Sequence, residues 1–122
     1  MKRLICAIAL ISSSAMANVN TDYRFYATDY SLDTQKERFA AYMIKSDPCI
    51  TVKMFKSNET MRYCKLGDSG LDLERDTPTV YAGWVNVDSS GVRFIAAAPW
   101  NEQKCHINVH NKTINCSPTG HN

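Results

Sequence analysis

The sequence predicts an α+β domain: one N-terminal helix packed on an antiparallel sheet of five or six strands, stapled by two disulfides. Three observations predict it. Alternating apolar and polar residues recur through the second half of the chain, as half-buried strands require. One stretch near residue 40 carries a helix-start signature and helical spacing. An even set of cysteines, Cys49, Cys64, Cys105 and Cys116, remains once an export-type leader is set aside.

The leader comes first in the chain. Lys2 and Arg3 supply a positive start, residues 4 to 11 an apolar run, and Ala15-Met16-Ala17 a cleavage site of the Ala-x-Ala kind. The run is too short to span a bilayer. Residues 1 to 17 are therefore expected to be a signal peptide cleaved after Ala17, and residues 18 to 122 a single domain of about 105 residues. Loss of Lys2 and Arg3 takes the 14 basic residues to 12, level with the 12 acidic ones. So even a balance excludes the basic footprint of a nucleic-acid binder or a protein held on anionic lipid.

Residues 21 to 33 hold three tyrosines and a phenylalanine and read as an edge strand or a docked arm. Residues 34 to 45 read as the helix. Thr34 and Glu37 have capping-box spacing, Leu32, Phe39, Ala40 and Met43 fall on one side, and Pro48 ends the run. A hairpin follows about residues 56 to 58, with Ile50, Val52 and Met54 sharing a face with Met61 and Tyr63. Simple alternation puts Cys49 and Cys64 on the other face, near solvent. Residues 67 to 78 form a loop with Asp68, Asp72, Glu74 and Asp76. They lack the ligand order of an EF-hand, so a solvated acidic loop is expected and no metal.

The next hairpin turns over residues 88 to 91. It pairs Val87/Val92, Val85/Phe94, Gly83/Ala96 and Tyr81/Ala98 on a core face. Its reverse face carries Asn86/Arg93, Trp84/Ile95 and Ala82/Ala97, and is more apolar than a solvated face normally is. Trp84, Ile95 and Arg93 therefore mark a face that needs a cover: the aromatic arm, a second sheet, a protein partner or a second copy of the chain. In the last hairpin, a two-residue turn at His110-Asn111 pairs Val109/Lys112, Ile107/Ile114 and Cys105/Cys116. That register makes the cysteines a hydrogen-bonded pair, the wider of the two kinds. Of three connectivities open to four cysteines, the sequential one, Cys49–Cys64 and Cys105–Cys116, fits both hairpins. His106 and His110 on one strand would stand roughly 13 Å apart, too far to share a zinc ion.

Catalytic signatures are thin. The chain has no Gly-x-Ser-x-Gly elbow, His-Glu-x-x-His helix, phosphate-binding glycine loop or redox CxxC pair. A small hydrolase or nuclease would have to use His106 or His110 with Glu102 or an acidic loop residue. A binding protein fits the composition better. Two tryptophans and six tyrosines supply the residue types that anchor interfaces. Trp100, after Pro99, and Asp68, Ser69, Asp72 and Glu74 are the candidate partner contacts, since a carboxylate or serine on a rigid loop can enter an enzyme cleft.

The format resembles that of the small periplasmic immunity and inhibitor proteins of Gram-negative bacteria. Shared features are the Ala-Met-Ala cleavage site, the domain length, two disulfides and a strand-rich body. It is similar in layout to the Vibrio type of immunity protein directed against the lysozyme-like domain of a type VI secretion spike. The membrane-bound C-type lysozyme inhibitors are a related comparison. The likeness is one of layout and transfers no residue by motif. It implies a periplasmic homodimer that binds and blocks a peptidoglycan hydrolase effector. No cofactor is expected, and charge balance and the short apolar run lead to the expectation of no nucleic acid and no membrane insertion. A structural envelope or surface component is the remaining alternative.

Overall fold

A computed structural model describes residues 22 to 121; the expected signal segment and its cleavage site lie outside them. Eight strands follow one another: β1 (Tyr23–Thr28), β2 (Phe39–Ile44), β3 (Ile50–Met54), β4 (Thr60–Tyr63), β5 (Tyr81–Asp88), β6 (Gly91–Ala97), β7 (Gln103–Asn108) and β8 (Thr113–Pro118). They form two four-stranded antiparallel meanders, β1 to β4 and β5 to β8, each in sequence order.

The α+β expectation is thereby corrected. There are eight strands in two sheets, not five or six in one, and no helix forms over residues 34 to 45. That stretch supplies β2 and part of the turn before it. Phe39 and Met43, four residues apart, share a face of a helix and of a strand alike, so the spacing of these two core residues does not decide between them. Pairing decides: β2 is bonded to β1 on one side and to β3 on the other, and tertiary context overrides a weak propensity. The supposed capping glutamate, Glu37, instead accepts a bond from Thr28 at 2.5 Å, and Leu32 stands 82% exposed in the turn. Asp29 fixes the entry into β2. Its buried carboxylate accepts bonds from the backbone N–H groups of Arg38 (2.7 Å) and Phe39 (3.1 Å).

One core serves both sheets. Phe39, Met43, Ile50 and Val52 from the first meet Val92, Phe94, Ala96 and Ile107 from the second in a single buried cluster. The 3–10 turn Gly67–Ser69 and the loop after it carry the chain between the sheets. This loop also explains a second correction. Cys49 is fully buried rather than near solvent, because Leu66 and Leu73 close over that end of the sheet, and Leu73 N donates to Cys64 O at 2.8 Å.

Both sequential disulfides are present. The register Ile107↔Ile114 and Cys105↔Cys116 is as expected, but the turn spans residues 109 to 112, four residues rather than two. Turn length sets the alternation of pair types along a hairpin. The longer turn makes Cys105 and Cys116 the close, non-hydrogen-bonded kind, and their Cα atoms stand 4.1 Å apart.

Candidate functional site

The outer face of the second sheet carries the most unusual residue. Gly83 pairs with Ile95 and Asn86 with Arg93, so Trp84 and Val85 together face Phe94 alone. This is a β-bulge, which shifts the expected Trp84/Ile95 pairing by one residue. Val85 turns inward to the core cluster, whereas Trp84 is 79% exposed at a φ of +47°. Left-handed backbone at such a bulge is the usual place of glycine, and a bulky side chain there is a genuine outlier. Among the described residues, neither the aromatic arm nor the first sheet lines the surface around Trp84.

Below the indole lies a shallow concavity of about 490 Å³, lined in part by Arg93, Ile95, Lys104, His106 and Asn115. The sequence-derived trio of Trp84, Ile95 and Arg93 is thus brought together. Lys104 and Asn115 were missed. Arg93 pairs with His106, Ile95 with Lys104, and His106 with Asn115 across neighbouring strands, so the alternation of β7 and β8 held the signal, but only once the cross-sheet register was known.

The histidines are tied to the β5–β6 turn rather than to each other. His110 Nε2 donates to the carbonyl of Ser89 at 3.1 Å, and an Arg38 Nη2 donates to the same oxygen at 3.0 Å. His106 Nε2 lies 3.1 Å from Ser90 Oγ, while that hydroxyl donates to Asp88 Oδ1 at 2.6 Å. Serine, histidine and aspartate meet here in the wrong order for a nucleophile. The hydroxyl proton already goes to the carboxylate, so Nε2 must donate to Ser90 Oγ and cannot take its proton. Burial, with Arg93 adding to it, pushes His106 below the ordinary imidazole value. The hydrogen bond from Ser90 holds Asp88 down at about 2, and Arg93 Nε, at 3.0 Å, acts in the same direction. Glu102 is engaged elsewhere, by Thr119 Oγ1 at 2.6 Å and His121 at 3.2 Å.

The acidic loop is ordered by its own side chains. Ser69 Oγ donates to Leu66 O at 2.7 Å and accepts from Leu71 N at 3.1 Å. Asp72 Oδ1 accepts from the N–H groups of Glu74 (2.9 Å) and Arg75 (3.1 Å), and Asp76 Oδ2 from Asp72 N (3.0 Å). Glu74 pairs with Arg62 at 2.7 Å, and Asp68 is exposed. Trp100, 65% exposed, shares a second concavity with Gly70, Leu71, Arg75 and Asp76, so the structure places it beside the loop. Asp68, Ser69, Asp72, Glu74 and Trp100 therefore belong to one end of the molecule.

Among the described residues, no group of three or more His, Cys, Asp or Glu side chains could hold a metal ion, and no helix is long and apolar enough to cross a membrane. Comparison with protein-family models, with curated proteins and with solved structures finds no match to this chain.

Proposed function

We propose that the protein is a periplasmic inhibitor: an immunity protein that binds a peptidoglycan-degrading effector and keeps substrate out of its cleft. It acts by occupancy, one molecule per enzyme, not by catalysis. The observation that carries this reading is the placing of Trp100, a large exposed indole held against a loop that its own hydrogen bonds fix in shape. Aromatic anchors on rigid supports dominate protein interfaces, because little side-chain or loop entropy is lost on docking. Two disulfides suit an oxidising compartment, and the leader accounts for delivery there.

The test is a pull-down with the oxidised protein from the envelope fraction of its source organism, with bound proteins identified by mass spectrometry. The expected catch is a peptidoglycan hydrolase whose activity falls to zero near one equivalent of inhibitor. Trp100→Ala should weaken the complex by about thirtyfold or more, as for a central anchor. Recovery of envelope components with no effect on cell-wall hydrolysis would point instead to a structural role.

A further inference from the structure

The concavity under Trp84 shares no lining residue with the one beside Trp100, and the inhibitor reading leaves it unused. We propose that it is a binding site for an acidic, N-acetylated oligosaccharide, laid across the outer face of the second sheet with one sugar ring stacked on Trp84. The site is a property of the protein alone and stands apart from its action on any enzyme.

Strain is the first argument. A bulge that would be relaxed with glycine instead carries a tryptophan at a φ of +47°, and that indole is left 79% exposed. Both features are unfavourable for the free protein. Strained backbone of this kind persists where it aims a side chain for use. The flat, electron-rich face of an indole suits the polarised C–H bonds on one side of a pyranose ring.

Shape is the second. A concavity of about 490 Å³ is within the usual size of small-ligand sites, roughly 300–1,000 Å³. Its lining gives the polar chemistry. Asn86 and Asn115 present amides that donate and accept, as acetamido and hydroxyl groups require, and Ser117 adds a hydroxyl. Among the described residues the side chains of Asn86, Lys104 and Asn115 have no hydrogen-bond partner, so they stay available. His106 gives its Nε2 proton to Ser90, which leaves Nδ1 as an acceptor for a sugar hydroxyl.

Charge sets the ligand's sign. Lys104 and Arg93 line the concavity, and no carboxylate does among the described residues; Arg93 is already paired with Asp88 at 3.0 Å, so Lys104 is the cation left for a ligand. A ligand bearing carboxylates is therefore matched. A polyanion such as nucleic acid is not, because the chain as a whole is almost neutral.

The probes are peptidoglycan glycan strands stripped of their stem peptides, whose N-acetylmuramic acid residues then carry free carboxylates, and neutral tetra-N-acetylchitotetraose. Titration is followed by indole emission in a Trp100→Phe protein, where Trp84 is the one remaining tryptophan, and by calorimetry on the unmodified protein. The strands should bind saturably with a Kd below about 1 mM. Chitotetraose should bind about tenfold more weakly, and Lys104→Gln should remove that difference. Trp84→Gly should abolish binding of both while the protein stays folded, since glycine suits the left-handed bulge. Three outcomes overturn the proposal: no saturable binding up to about 5 mM, binding that survives Trp84→Gly, or equal affinity for the two glycans. Emission from Trp84 that shifts with protein concentration but not with glycan also overturns it, and assigns the face to a second copy of the chain.

Discussion

Asp88 shows how much one side chain can organise. Its Oδ1 accepts from Ser90 N at 2.9 Å, Gly91 N at 3.2 Å and Ser90 Oγ, closing the two-residue turn between β5 and β6. Gly91 must follow, because a Cβ there would lie 1.8 Å from the carbonyl oxygen of Ile107 on the next strand. The turn has a pH signature. The folded-state value of Asp88, about 2, lies below the ordinary aspartate value near 3.9. Its contribution is complete above about pH 4 and is lost as pH falls toward 2. Asp47, held down by Arg62, adds to the same trend. Removing the first cause with Ser90→Ala should raise the Asp88 value in a carboxyl NMR titration and flatten the fall of the urea midpoint between pH 4 and 2. An unchanged titration would show that Ser90 does not set it. Beyond the turn itself, where Asp88 and Ser90 stand two residues apart, this network was not legible in the sequence, since His106 joins it through cross-strand register.

At the scale of elements, alternation read well where one face is buried and failed where both are. The hairpin of β3 and β4 has the expected shared face and that of β7 and β8 the expected register, because Ile50, Val52 and Ile107 must point inward and a slip by one would expose them. In β2 the neighbouring Phe39, Ala40 and Ala41 are all buried, so no polar residue marks the alternation and a helix fits as well. The bulge at Trp84 was illegible for another reason: a tryptophan stands where glycine would have announced it. Among the candidate contacts, Trp84, Ile95 and Arg93 could be grouped from sequence, whereas their neighbours Lys104 and Asn115 needed the order of strands. The staples belong to this scale too. Cys105→Ala with Cys116→Ala opens a loop with a sequence separation of 11, and should lower unfolding free energy by about 3 kcal/mol. Chemical denaturation of the double variant against the oxidised protein measures it; a loss below about 1 kcal/mol would mean that the ladder alone sets the hairpin.

Each meander is local, yet neither can bury its inner face without the other. The first sheet carries the Tyr23, Tyr26 and Tyr42 cluster, with ring centroids 5.3 to 6.0 Å apart, and the second carries Trp84. With Tyr81→Phe removing the one tyrosine of the second sheet, these are separate spectroscopic reporters. Thermal unfolding followed by tyrosine near-ultraviolet dichroism and by Trp84 emission in the protein with Tyr81→Phe and Trp100→Phe should give one midpoint, as one shared core demands. Two midpoints would make the sheets independent units. The sequential strand order also bears on how the molecule is made. Once the expected leader and its Cys6 are removed, a chain that emerges N-terminus first presents Cys49, and the next cysteine to appear is its partner Cys64; Cys105 and Cys116 then repeat the pattern. An oxidant that simply joins cysteines in order of arrival forms both native bonds. No shuffling of a wrong pair is required, and the first staple can close before the second sheet has emerged.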